Sequence, residues 1–359
     1  MQNFFTRRTI TAVALVGVSS LLLVAGPTSQ ATAAKKKVGV TLILKNLTNP
    51  FFVAMTKGAR AQAKKINVSL SVAAGKDETD DAAQITAIEN AISKKDAGIL
   101  ITPISAASYS AIKKARKAGL FVIALDTPTD PASIVDITYA TDNCLAGELI
   151  GRWAASKMNG KDAVIAMLDI FDDKMVPVDY CRDNGFLKGM GIPVNDPKVI
   201  GDEVKIGKYT GGKGGNYEIV GNVATLGAEE GGRTGMETLL SKNPKINLVY
   251  TLNEPAAAGA NAALKAAGKT GVVIVSVDGG RAGVENVKAG VIGATSQQYP
   301  LLMAKKGVKA IAKLIRSGVE PAVTPGLDFY NTGVTLITDD PQPGVPSKSV
   351  AYGLKKAWG

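Results

Sequence analysis

Short apolar runs in this chain end in polar or aromatic residues: 45–52, Asp126-Thr127, 169–182, Asn253-Glu254, Asp278-Gly279 and Gln297-Gln298. Eight side chains in these stretches could do chemistry together: Asn49, Phe51, Phe52, Asp126, Arg182, Asn253, Asp278 and Gln298. Carboxylates and amides accept hydroxyl hydrogens, guanidinium and amide groups donate to oxygens, and aromatic rings cover apolar C–H faces. That mixture suits a neutral, hydroxyl-rich guest. The sequence has no histidine, which removes Ser-His-Asp and Cys-His catalysis and every His-based metal site. Asp126 and Asp278 could in principle act as a glycoside-hydrolysing carboxylate pair, but binding requires the same two groups as plain acceptors, and binding is the simpler reading. Cys144 and Cys181 have no base partner suggested by the sequence, so neither reads as a nucleophile. Neither a catalytic residue, a metal nor a cofactor is expected.

Each of the eight also has a structural role open to it. Asn49 before Pro50 reads as a helix N-cap with proline in the first turn, and Asn253 could cap the helix after it. Asp126 and Asp278 could merely form turns. Arg182 could pair with Asp179 or Asp183 on the surface. Gln298 could satisfy only backbone groups. Phe51 and Phe52 point about 100° apart on a helix, so they should not share one buried stripe, and at least one should face a cleft.

The elements that must position these groups alternate in type. Strand-like runs at 38–44, 68–73, 98–101 and 121–125 are separated by helical stretches at 50–65, 80–94 and 105–118. The alternation restarts after Asp142, with helices at 145–157, 179–190, 229–241 and 256–267 and strands at 163–168, 248–252 and 272–277. A strand at 292–295, a helix at 300–317 and a late strand at 333–337 follow. The glycine-rich 210–216 reads as a surface loop. Strands joined through helices imply parallel sheets covered on both faces, and two rounds of the unit imply two doubly wound α/β lobes. Ligands of such sheets bind beyond the carboxyl ends of the strands, where the eight residues lie.

The N-terminus is different. Arg7 and Arg8, an apolar run from Ala12 to Ala25 and then Ala31-Thr32-Ala33 have the order of a cleaved export signal over 1–33. The run is too short and too broken for a membrane span. No cysteine follows it, so lipid attachment is not available. Losing Arg7 and Arg8 and no acid takes the formal charge from +11 to +9. The remaining lysines are dispersed, as in Lys113-Lys114 and Lys305-Lys306, with few aromatics among them, so the charge reads as solvated surface and not as a nucleic-acid site. An oxidising compartment permits Cys144 and Cys181 to pair, but two cysteines make no disulfide framework, and two buried free thiols are narrowly preferred. Gly268-Lys269-Thr270 lacks the earlier glycine and the following helix of a phosphate loop, and no G-x-G-x-x-G follows the first strand.

In the order NPFFVAM, GILITPI, VIALDTP, ATDNCLAGELIG, VDYCRDNGFLKGMGI, EEGGRTGMETLL, TLNEPAAAGA, VIVSVDGG and GVIGATSQQYPL, the chain resembles the periplasmic ribose/galactose-type sugar-binding proteins of ABC importers. The resemblance is to their fructose-binding branch most of all, and the tail Ala357-Trp358-Gly359 shares in it. It implies a type I periplasmic binding fold in which two lobes, joined by a multi-strand hinge, close on one monosaccharide. The lobes would be 34–141 with 299–333 and 142–298 with 334–359. By that resemblance Asn49, Asp126, Arg182, Asn253 and Asp278 hydrogen-bond the sugar, Phe51 and Phe52 cover it, and Gln298 and Asp142-Asn143 sit at hinge crossings. It further implies a periplasmic monomer that docks on membrane permease subunits, or alternatively on a chemotaxis receptor. A sugar-responsive transcription regulator shares the fold but needs an N-terminal DNA-binding helix pair where this chain has its export signal. Thr127 stands where the ribose-type pattern has arginine, and Val277 where it has an aromatic, so a differently shaped sugar is expected. Glu229-Glu230 could replace a lost contact.

Overall fold

A computed structural model describes residues 37–359. The expected export signal over 1–33, with cleavage near Ala33, lies outside the described residues. The chain runs β1 (Val38–Leu44), α1 (Pro50–Lys65), β2 (Val68–Ala74), α2 (Asp81–Ser93), β3 (Gly98–Ile101), α3 (Tyr109–Lys117), β4 (Phe121–Leu125) and β5 (Ile137–Ala140). Next come α4 (Asn143–Met158), β6 (Ala163–Asp169), α5 (Pro177–Met190), β7 (Ile206–Tyr209), β8 (Gly215–Ala224), α6 (Glu229–Lys242), β9 (Leu248–Thr251) and α7 (Glu254–Ala266). The last elements are β10 (Val273–Asp278), α8 (Arg281–Lys288), β11 (Ala294–Gln297), α9 (Pro300–Ser317), β12 (Tyr330–Asn331), β13 (Thr335–Ile337) and α10 (Val350–Lys356).

Two sheets result. The first has six strands in the order β12-β5-β4-β3-β1-β2, every neighbour parallel. The second has seven, β13-β11-β10-β9-β6-β8-β7, antiparallel only at its two ends. Central strands such as β3, β9 and β11 are buried throughout because helices cover both faces. The chain crosses between the sheets after β5, after β11 and between β12 and β13.

Several details depart from expectation. Strands β5 and β12, the β7–β8 hairpin and helices α8 and α10 are additional elements. Residues 210–214 do turn, but the chain enters β8 at Gly215, inside the stretch read as a loop. Strands β7 and β8 carry half-exposed residues and little periodicity, so the pattern is weak there. Finally, Cys144 and Cys181 are joined in a disulfide with their Cα atoms 4.2 Å apart, not free thiols. The reason lies in how α4 meets α5. Gly147 and Gly151 face Gly185 and Gly189, and a Cβ on Gly147 would lie 2.1 Å from the Arg182 carbonyl oxygen. Missing side chains let the two backbones approach, which brings the cysteines together and fixes where Arg182 emerges.

Candidate ligand-binding site

Asp126 immediately follows β4 of the first sheet, and Asp278 ends β10 of the second. Both are buried and both adopt positive φ, 63° and 138°, a region that non-glycine residues occupy at a cost of about 1–3 kcal/mol. Such strain persists where surrounding structure holds a side chain in a working position. One gap between the sheets is lined by all eight residues singled out in the sequence, with Lys45, Glu78, Ile170, Val178, Gly227 and Leu252. Its empty space, about 360 Å³, is partly continuous with solvent.

The first lobe supplies Asn49, Phe51 and Phe52 from the start of α1. Asn49 caps that helix, its Oδ1 accepting from Phe51 N at 2.9 Å, so the structural reading holds while the residue also borders the gap. Phe51 and Phe52 both border the gap, the cleft expected for at least one of them, and both are nonetheless buried. The physical reason is that the second lobe covers the helix end. The two rings meet edge to face at 5.4 Å, and Phe51 meets Trp358 at 5.3 Å.

The second lobe supplies Arg182, which is buried and makes no surface ion pair with Asp179 or Asp183. Its Nε donates to Asn143 Oδ1 at 2.9 Å, one terminal nitrogen donates to the Leu252 carbonyl at 3.0 Å, and the other lies 3.8 Å from Asp126 Oδ1 across the gap. Asn143, just past the first crossing, also donates to the Asp126 carbonyl at 3.3 Å. Asn253 caps α7 through Ala256 N and donates to the Gly227 carbonyl at 2.9 Å. Gln298, at the second crossing, donates to Asp278 Oδ1 at 2.7 Å. Asp126 Oδ1 and Gln298 Oε1 are buried without a hydrogen-bond partner.

The electrostatics are close to balanced. Lys45 pairs with Glu78 at 3.2 Å, both buried, and burial raises the Glu78 carboxyl while Lys45 opposes it. Burial pushes Asp278 up to about 6, with Arg182 and the Gln298 bond pulling the other way. Two cations against three carboxylates, one easily protonated, suit a neutral guest better than an ion. Asp179, also pushed up to about 6 by burial, accepts from Ile170 N and Phe171 N and so holds the loop that brings Ile170 to the wall.

Of the lining residues not singled out, Lys45, Ile170 and Val178 fall within strand-end stretches already marked. Leu252 closes the apolar run at 248–252. Glu78 follows β2, whose end was not considered, and Gly227 follows β8, which was not recognised. Glu229 borders a larger outer chamber beside the gap, whereas Glu230 pairs with Arg233 at 2.5 Å. Among the described residues no His/Cys/Asp/Glu cluster could hold a metal, and no helix is long and apolar enough to cross a membrane.

Known proteins resemble this arrangement. The chain is 28% identical over 300 residues to the ribose import binding protein of Salmonella typhimurium, covering 83% of this chain and 91% of that one. It is 27% identical over 353 residues to the D-ribose/D-allose-binding protein of Pseudomonas aeruginosa, covering 94% and 99%. A galactofuranose binding protein of known structure superposes with a TM-score of 0.72 at 22% identity, covering 89% of this chain and 98% of that one, which speaks for the fold alone. The two sequence relatives are binding proteins and not enzymes. Residues 39–318 match the model of the periplasmic binding protein domain, and the chain belongs to that family.

Proposed function

We propose that this protein captures one monosaccharide between its two lobes and hands it to the permease subunits of an ABC transporter. The observation that carries the reading is convergence. Acceptors, donors and rings from strand and helix ends of both lobes face one gap, and two buried acceptor atoms there await partners. A sugar hydroxyl is the natural donor for Asp126 Oδ1 and Gln298 Oε1. Asp278 and Arg182 would take further hydroxyl or ring oxygens, with Asn49 and Asn253 beside them and Phe51 and Phe52 covering the C–H faces. The two asparagines already spend part of their capacity on helix capping, so their share in binding is the smaller.

The relatives carry ribose and allose in their names, which supports an aldopentose- or hexose-sized guest. Thr127 and Val277 speak against ribose itself, and the likeness to the fructose-binding branch favours a fructose-like ketose. The lobes of this reading are 34–141 with 299–333 and 142–298 with 334–359, and sheet membership of β12 and β13 on either side of residue 333 supports that division. Export with cleavage near Ala33, a periplasmic location and a monomeric state complete the proposal.

Calorimetry with D-ribose, D-allose and D-fructose tests it. At least one should bind the wild type, and Asp278→Ala should lose binding while keeping its circular dichroism spectrum. Wild-type affinity in a folded Asp278→Ala protein would refute the assigned site.

A further inference from the structure

The C-terminal tail does something that the reading above does not use. Helix α10 belongs to the second lobe: Val350 sits in a hydrophobic cluster with residues of α6, β9 and α8. Eight residues later Trp358 belongs to the other lobe's core, clustered with Phe51, Phe52, Met55 and Tyr139. Two hydrogen bonds fix it from the second-lobe side. Its carbonyl accepts from Arg281 N at 2.8 Å, and its Nε1 donates to the Gln298 carbonyl at 2.9 Å. The indole also lies against Gly280, where an added Cβ would come within 3.3 Å of the ring. On its other side it meets Phe51 edge to face, 5.3 Å between centroids at 78°. Only 6% of the residue is exposed.

An indole anchored on one lobe and packed on a ring of the other can hold both contacts only while the lobes are together. Phe51 and Gln298 both line the gap. We propose that Trp358 is a positioning residue that latches the closed form, bracing the Phe51 ring and the Gln298 crossing over the bound ligand. This rests on the reading of lobe closure on a sugar. A latch that stabilises the closed form over the open one raises affinity by that preference, and an edge-to-face aromatic pair with its hydrogen bond is worth about tenfold.

The chain contains two tryptophans. The other, Trp153, is buried in the second-lobe core with its Nε1 on the Asp340 carbonyl at 2.8 Å, away from the gap. Trp153→Phe therefore leaves Trp358 as the sole indole reporter. Titrated with D-ribose, D-allose and D-fructose, this variant should shift its emission with the same midpoint as the calorimetric heat. If it does not fold, the wild-type spectrum minus that of Trp358→Phe gives the same signal. Trp358→Ala, checked by circular dichroism to be folded, should bind about tenfold more weakly, and Trp358→Phe should recover part of the loss. Binding heat with no change in Trp358 emission and full affinity in Trp358→Ala would overturn the latch and spare the sugar reading. No heat from the wild type with any of the sugars would overturn both.

Discussion

On the proposed reading, Asp278 should couple binding to acidity. It is buried at the end of β10, in a backbone region that favours glycine, with its carboxyl pushed up to about 6 because the charged form loses water. Without a guest its proton is therefore held more tightly than on an ordinary aspartate. Accepting a hydroxyl hydrogen through both oxygens requires the ionised form, so binding must expel that proton. Sugar affinity should be flat above about pH 7 and should fall toward tenfold per pH unit below about pH 6. Asp278→Asn should bind weakly and without that dependence. A wild-type dissociation constant that stays level from about pH 7.5 to about pH 5 would show that this carboxylate is not the acceptor. Asp126, Asp278 and Gln298 could be read from the sequence because doubly wound sheets place ligands past strand ends, a rule that needs only correct strands. The burial of Phe51 could not, since its ring packs against Trp358 at the far end of the sequence.

Among the elements, the α4–α5 pair positions Arg182, the guanidinium that the second lobe brings to the gap. Gly147 and Gly151 on one helix and Gly185 and Gly189 on the other let the backbones touch. The Cys144–Cys181 disulfide ties the same pair across a sequence separation of 37 residues. Arg182 emerges between them to reach Asn143 and Asp126. A valine at position 147 would put Cβ 2.1 Å from the Arg182 carbonyl oxygen, a backbone atom that can give way only if the helix moves. Gly147→Val should lower stability by about 2–4 kcal/mol, as overpacking of close-fitted parts does. It should also weaken sugar binding more than a substitution of equal stability cost in α9, because it displaces Arg182. Chemical denaturation together with calorimetry separates the two effects, and an affinity loss no larger than that of the α9 control would deny the helix pair its positioning role. The helices themselves were legible from spacing, whereas the glycine seam was not. A glycine in a helix signals a close approach only once its neighbour is known. Strands β5 and β8 escaped because short or half-exposed strands lack the long apolar run by which the central ones announce themselves.

For the molecule as a whole, the question is why the lobes should open at all. In the closed arrangement Asp126 Oδ1 and Gln298 Oε1 are buried with no hydrogen-bond partner, each costing about 1–3 kcal/mol that an open, hydrated gap would not incur. Arg182 and Asp126 stand 3.8 Å apart across the gap, too far for a full hydrogen bond. Against these costs work the Phe51–Trp358 contact and the covering of the α1 helix end. The balance is a few kcal/mol either way, which is the scale on which a ligand can switch an equilibrium. Moving a population from 1:99 to 99:1 takes about 5.5 kcal/mol of differential affinity. A sugar that donates to both orphaned oxygens supplies a large part of that difference, and an empty gap supplies none of it. The ligand-free protein should accordingly be mainly open in solution. X-ray scattering should record a larger radius of gyration without sugar, contracting at saturation toward the roughly 20 Å of a compact chain of this length. If saturating sugar leaves the radius unchanged while calorimetry registers binding, the two lobes do not move as a hinged pair, and the unpartnered oxygens must be satisfied by some means other than closure.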